Sequence, residues 1–301
     1  MTASSKATWH MAPRREEGGV GALPPLPAEE DRLSRHDFAR LSAYILEQSG
    51  IRLPDGKTTM LQGRLRRRVR ATGHATLAAY CTALFDRGGL AAEREHLLNA
   101  VTTNKTDFFR EPRHFDYLQA EVLPRLRDAG VPRVRVWSAG CSTGAEPYTL
   151  AMLLDSFAVD HGGPDYGILA TDLDTEVLAV ARRGVFPSAQ LDPVPPLLRQ
   201  RYLRHALDGR DELRIAPELR AAIGFAPLNL IDQHYPVGAP MHLIFCRNVL
   251  IYFERHTQVA VVRRFTDCLA PGGLLFLGHS ESIAGFDLPL VPVAGTVFAR
   301  A

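Results

Sequence analysis

Glu146 opens a helix directly behind a glycine turn, and Asp172 closes a strand. Acids in those two places suit a ligand that carries both hydroxyls and positive charge. The stretch reads VRVWSAGCSTGAEPYTLAMLL and then YGILATDLD. Val134, Val136 and Trp137 belong to a short apolar run of strand type, Gly140 and Gly144 bracket a tight turn, and Glu146 to Leu154 start an apolar-periodic helix. A second apolar run, Tyr166 to Ala170, ends in Thr171-Asp172. Glycines let the backbone approach a ligand closely, and an acid at a strand tip accepts hydrogen bonds from ribose hydroxyls. The unit implies a nucleoside-containing cofactor.

A dinucleotide site requires G-x-G-x-x-G, with the pyrophosphate against the helix N-terminus. Here the loop is Gly140-Cys-Ser-Thr-Gly144-Ala-Glu146, which has different glycine spacing and a carboxylate where a pyrophosphate would be repelled. An NAD-dependent oxidoreductase is therefore disfavoured. S-adenosylmethionine has a ribose, an ammonium and a sulfonium but no phosphate, and it fits the acids better. Taken alone, the loop is also compatible with a purely structural glycine turn.

The elements that must position these residues continue downstream. Met241 to Cys246 is another buried-strand run, followed by Arg247-Asn248-Val-Leu-Ile-Tyr252-Phe253. A helix is expected from roughly Arg255 to Leu269, ending at Pro271-Gly272-Gly273, then strands at Leu274 to Gly278 and Thr296 to Arg300. Alternating strands and helices that end in a strand pair indicate an α/β fold with a mainly parallel sheet and an antiparallel edge. Ligands in such sheets bind outside the carboxyl ends of the strands, where Gly140, Asp172, Asn229 and Arg247 are expected to converge.

Several blocks then occur together: Asn104-Lys-Thr106-Asp-Phe108-Phe109-Arg110-Glu111, TGAEPY, ATDLDTEVL, Asn229-Leu230, FCRNVLIYF and GGLLFLGHSES. In this order and spacing, from about Leu33 to the C-terminus, the chain resembles the CheR-type chemotaxis receptor methyltransferases. The resemblance implies a Rossmann-like S-adenosylmethionine-dependent methyltransferase sheet, an N-terminal helical domain and a small inserted antiparallel β-subdomain. It implies protein-glutamate O-methylation, with S-adenosylhomocysteine as the product. It also assigns Asn104, Thr106, Arg110, Glu146, Asp172, Asn229, Leu230, Arg247 and Asn248 to the cofactor pocket, beside Gly140 and Gly144 of the loop. The implied partner is the acidic, helical cytoplasmic domain of a chemoreceptor, met by a cytoplasmic and monomeric enzyme. A non-catalytic S-adenosylmethionine-binding scaffold that kept the fold is the competing class.

Methyl transfer to glutamate asks for no general base, because the acceptor carboxylate is already ionised at neutral pH. The work is to align the carboxylate with the methyl, exclude water and hold the anion. Arginine holds carboxylates in a bidentate fork, so Arg110 and Arg247 are the candidates for that task. Tyr252 is placed to line the acceptor site or to pack beneath it. Phe108 and Phe109 read as packing residues of the linker, Cys141 and Cys246 as small buried residues, and His279 and Glu281 as a cap or turn.

Composition agrees with this reading. A chain of 301 residues with 46% hydrophobic content can bury a large core and a smaller one, and a net charge of +2 does not mark a nucleic-acid binder. No apolar run is long enough to span a bilayer, and no direct membrane insertion is expected. Four cysteines without CxxC spacing and eleven histidines without HExxH indicate reduced thiols and no metal. Residues 1–31 read as a disordered tail, 32–99 as an all-helical domain in which Ser34 caps the first helix, 100–115 as a linker, and 116–301 as the methyltransferase domain. The insert at about 184–222 is expected to hold a short helix at Leu197 to His205 and a hairpin near Leu207 to Ile215, turning at Asp208-Gly209.

In the helical domain, Leu61, Leu65 and Val69 share one side of a helix whose remaining circumference carries Arg64, Arg66, Arg67, Arg68 and Arg70. An ordinary charge run is a solvated face. One-sign density in a nearly neutral chain points instead to docking of an acidic partner, and the lack of interleaved aromatics argues against nucleic acid. The resemblance names the receptor's helical bundle as that partner.

Overall fold

The computed structural model describes residues 31–205 and 209–301. The expected tail lies outside the described residues except for Asp31. That residue is buried, with its carboxylate accepting from the Leu77 backbone N–H at 2.7 Å and its carbonyl accepting from Arg66 at 3.1 Å, so it belongs to the helical domain.

Four helices make that domain: α1 (Arg35–Ser49), α2 (Thr58–Ala71), α3 (Leu77–Asp86) and α4 (Leu90–Val101). Ser34 caps α1 as expected, its hydroxyl accepting from the Asp37 N–H. Phe38, Leu41 and Ile45 of α1 meet Leu61, Leu65 and Val69 of α2, and Leu77, Leu84 and Leu97 close the same core. Full burial of each leucine contributes about 1.5–3 kcal/mol. At Gly50, α1 ends with φ +72°, and a Cβ there would lie 2.6 Å from Ile231 of the sheet domain. Both the left-handed backbone and the close approach require glycine.

The sheet domain contains β1 (Arg133–Ala139), β2 (Asp165–Asp172), β3 (Val185–Pro187), β4 (Leu203–His205), β5 (Glu212–Ile215), β6 (Ile223–Pro227), β7 (Met241–Cys246), β8 (Leu269–Leu277), β9 (Leu290–Ala294) and β10 (Val297–Arg300). Seven of them form one sheet in the order β6-β2-β1-β7-β8-β10-β9. The first five are mutually parallel and β10 is antiparallel to both neighbours. Side chains alternate between faces: Leu243 and Phe245 of β7 pack toward the helix Ala145–His161, whereas Ile244 and Cys246 pack toward the helix Arg255–Cys268. Strand order turns outward on either side of β1 and β7, so the ligand crevice belongs at their carboxyl ends.

Three local expectations are corrected. The helix expected over 197–205 runs instead from Pro196 to Tyr202, and Leu203–His205 is β4. Arg204 and His205 pair with Arg214 and Leu213, so sheet pairing outcompetes helix extension there. Pro271-Gly272-Gly273 does not precede a strand but lies within β8. Met241 pairs with Leu269 and Leu243 with Leu274, so the register shifts and these residues bulge out, with Gly272 at φ +72°. Finally, Arg113–Tyr117 is helical and continues through a π-type turn to Asp128, so the end of the expected linker is already part of the sheet domain. The insert forms the small antiparallel sheet β3-β5-β4; of its expected turn, only Gly209 is among the described residues.

Candidate active site

A cleft opens at the carboxyl ends of β1, β2, β6 and β7, roofed by the helical domain. Its walls carry every sequence-predicted cofactor residue except Gly144: Gly140, Glu146 and Asp172 from the first two strand ends, Asn104, Thr106 and Arg110 from the linker, and Asn229, Leu230, Arg247 and Asn248 from the later ones. Tyr252 lines it as well. Ser49, Ile51 and Val101 line it from the helical domain, a contribution that sequence spacing did not reveal.

Gly140 has φ +79°, and a Cβ would strike Val249 at 2.5 Å, so only glycine lets the loop close over β7. Gly144 stands apart from the cleft. It has φ +97°, and a Cβ would press on Ala181 at 3.0 Å and Tyr148 at 3.2 Å. It therefore serves the loop-to-helix turn rather than ligand contact.

Asp172 is buried, and its two carboxylate oxygens accept from the Ser142 N–H at 2.8 Å and the Asp174 N–H at 2.9 Å. Burial raises its pKa against those two bonds. Asp174 caps the next helix through Glu176 and Val177, and its other oxygen accepts from Thr102 at 2.8 Å and Asn104 at 2.7 Å. The Asn104 side-chain amide is thus spent on tying the linker to the loop after β2, and the Asn104 main-chain carbonyl accepts from the Ser142 hydroxyl at 2.9 Å. Asn229 similarly donates to the carbonyl of Gln48 at 2.7 Å, fastening the helical roof to the floor. Both residues shape the cleft by holding its walls together.

Arg247 is buried at the far wall. Its Nη1 lies 3.5 Å from Glu146 and its Nη2 3.4 Å from Glu111, with a further bond to the Arg110 carbonyl, and the guanidinium sits 5.2 Å over the Phe115 ring. Glu146 also accepts from Ser138 at 2.7 Å, yet burial raises its pKa beyond what Arg247 offsets. Asn248 donates to Glu111 at 3.2 Å. Burial pushes the Glu111 carboxyl up, but Asn248, Arg247 and His279 outweigh it and leave it below the usual range. Arg110 donates to the Lys105 carbonyl at 3.0 Å, and exposed Lys105 joins it in the lining.

Glu281, expected as a cap or turn, is one: its carboxylate accepts from the backbone N–H groups of Gly278, Asn248, Val249 and Leu250 at 2.6–3.0 Å. Phe108 packs edge-on to Phe186 at 5.1 Å and Phe109 to Phe115 at 5.7 Å, which agrees with linker packing. Burial pushes the Cys141 and Cys246 thiols well above their ordinary range, removing them as nucleophiles. Among the described residues, four non-glycine residues have positive φ: Phe109, Glu111, Ser142 and Asn248. All four flank the cleft, where backbone strain commonly concentrates.

The arginines of α2 divide. Arg64 donates to the carbonyls of Ala100 and Thr102, and Arg68 is forked onto Glu93 at 2.5 and 2.6 Å. Arg66 bonds the Asp31 carbonyl. These three are tied into the fold rather than presented on it. Arg67 and Arg70 are exposed, Arg67 in a surface pair with Glu176 of the sheet domain at 2.7 Å.

The cleft fits an adenosine ligand with a cationic tail. It has a carboxylate at the tip of β2, a largely buried carboxylate in place of an anion cradle at the helix start, and apolar walls from Leu173, Leu228, Leu230 and Val249. Comparison with known proteins agrees. The family model described as CheR methyltransferase, SAM binding domain matches residues 104–297, and that of the CheR methyltransferase all-alpha domain matches 36–102. The chain is 39% identical over 269 residues to a chemotaxis protein methyltransferase of Escherichia coli, covering 89% of this chain and 91% of that one. It is 36% identical over 274 residues to chemotaxis protein methyltransferase 2 of Pseudomonas aeruginosa, covering 91% and 96%. Among the described residues no helix is long and apolar enough to cross a membrane.

Proposed function

The chain belongs to the CheR methyltransferase family, and from that premise we propose that it methylates glutamate side chains in the cytoplasmic helical domain of a chemoreceptor, giving glutamate methyl esters and S-adenosylhomocysteine. It is an S-adenosylmethionine-dependent methyltransferase of chemotaxis; the glutamate acceptor, the acidic helical partner, a cytoplasmic location and a monomeric state are the proposal's finer content. The observation that carries it is the cleft itself, with Glu146, Asp172 and the committed Arg247 deep inside and the two less buried cations, Lys105 and Arg110, also in its lining. That polarity suits a cationic cofactor below and an anionic acceptor above.

When bound, S-adenosylmethionine supplies a methyl group made electrophilic by its sulfonium. Asp172 is the residue to hold the ribose, because its strand-tip carboxylate is fixed by two backbone donors and keeps further lone pairs. Glu146 offers a counter-charge to the ammonium. Arg247 is committed to Glu111 and Glu146, so Arg110 is the better placed of the two arginines to fork onto the acceptor carboxylate, with Tyr252 beside it. Both reactants lose charge in the transfer, so water exclusion by the helical roof, through Ser49, Ile51 and Val101, favours the step. Exposed Arg67 and Arg70 on α2 are the surface left for the receptor. The test is to incubate the full chain with methyl-labelled cofactor and soluble receptor fragments. Label is expected on the fragment and lost when its acceptor glutamates are replaced by alanine; label that survives the replacement defeats the assignment.

A further inference from the structure

We propose that Glu111, His114 and His279 form a binding site for a divalent transition-metal ion of the zinc class, which fastens the linker to the loop after β8. The inference starts from His114, whose side chain is 5% exposed. Its Nε2 lies 3.0 Å from the Thr296 hydroxyl, and that hydroxyl donates its one hydrogen to the Leu277 carbonyl at 2.7 Å. Thr296 must therefore accept, Nε2 carries the hydrogen, and the neutral ring keeps a lone pair on Nδ1. Among the described residues nothing hydrogen-bonds this buried Nδ1. It faces Glu111 Oε2 at 3.7 Å, lone pair toward anion, an arrangement that a cation between them relieves.

Glu111 Oε2 is itself poorly matched. Its donors, the His279 N–H at 3.3 Å and Arg247 at 3.4 Å, stand farther off than the 2.7–2.9 Å or so of good charge-assisted bonds. His279 Nε2 lies 3.9 Å from the same oxygen, and its half-exposed ring gives an ion a way in. One atom from each of the three residues lies within 4.8 Å of the others. Bonds of roughly 2.0–2.2 Å place tetrahedral neighbours about 3.4 Å apart, so a small rotation of the exposed ring completes the geometry.

Charge points the same way. Glu111 and Glu146 both pair with Arg247, so two carboxylates share one guanidinium. Two imidazoles and one carboxylate select zinc-like ions over magnesium or calcium, which take oxygen shells. No step of the methyl transfer uses the ion. It would act by position, because Glu111 also holds Asn248 and Arg247 of the cleft wall.

The test uses the full chain, stripped with a chelator and dialysed, then titrated calorimetrically with Zn²⁺ and separately with Mg²⁺, with melting followed in parallel. Stoichiometric Zn²⁺ uptake and a raised melting temperature are expected, with no response to Mg²⁺. His279→Ala, at a half-exposed position, should melt like the stripped wild type yet lose both the uptake and the Zn²⁺-dependent rise; His114→Gln serves as a second ligand variant. Failure of the wild type to take up Zn²⁺, or uptake that survives both substitutions, overturns the site.

Discussion

The side-chain amide of Asn104 donates to the Asp174 carboxylate at 2.7 Å, joining the linker to the loop after β2. Through that carboxylate, which also receives Thr102, the roof of the cleft is coupled to the strand end that carries Asp172. Residues that tie the linker to the sheet therefore also border the cleft.

Asp172→Ala is expected to weaken S-adenosylhomocysteine binding by about 1–3 kcal/mol, from lost charge-assisted hydrogen bonds to the ribose. Because burial raises the Asp172 and Glu146 carboxyls, affinity should also decline as pH falls through that raised range, since protonation removes the negative charge facing the ligand. Calorimetry on the folded variant checks both; unchanged affinity removes Asp172 from the site.

Arg68→Ala should destabilise the helical domain by about 1–3 kcal/mol without a direct effect on receptor affinity, since it leaves partly buried Glu93 and its Tyr80 partner without their cation. The Arg68 hydrogen bond depresses the Glu93 pKa. A depressed acid adds stability above its unfolded pKa of about 4.3, and that stability is lost as pH falls through the folded value. Denaturation of wild type and variant should thus converge at acid pH; a gap that persists there contradicts the pairing.

Reversing exposed Arg67 and Arg70 to Glu should raise the apparent KM for receptor while leaving cofactor affinity unchanged. The wild-type rate should fall with added salt, which screens exposed charge. Loss of the surface Arg67–Glu176 pair is worth at most about 1 kcal/mol. Collapse of cofactor binding in this variant would make the face structural.

These arginines also mark where the sequence stopped being legible. Leu61, Leu65 and Val69 declare their buried side by spacing alone, and all three are core. Arg64 and Arg68 do not declare theirs, because charge density carries no information about Thr102 or Glu93, distant in the chain, that claim them. Asp172 was readable because a strand tip fixes its direction. Asn104 and Asn229 line the cleft, but the partners of their amides were not readable. The strand β9 and the bulge in β8 followed from pairing that no local pattern encodes.

A receptor's C-terminal peptide could dock as an added strand only on a sheet edge that is exposed and long enough to pair with it. Here β3 and β4 are the edges of the inserted sheet, and each spans three residues. The segment from Arg204 to Leu213 has one glycine, Gly209. Deleting the receptor's C-terminal tail should therefore leave the methylation rate unchanged. A large loss of rate, with measurable binding of the isolated tail peptide, would show that the tether operates.

The acceptor atom is the centre of the account, and mild alkali reads it directly. A carboxyl methyl ester hydrolyses in base and releases methanol, whereas N-methyl groups survive. Receptor fragments labelled by this enzyme should lose their label as volatile methanol after alkali treatment. Label that remains on the protein would mean a different acceptor atom and would contradict glutamate methylation.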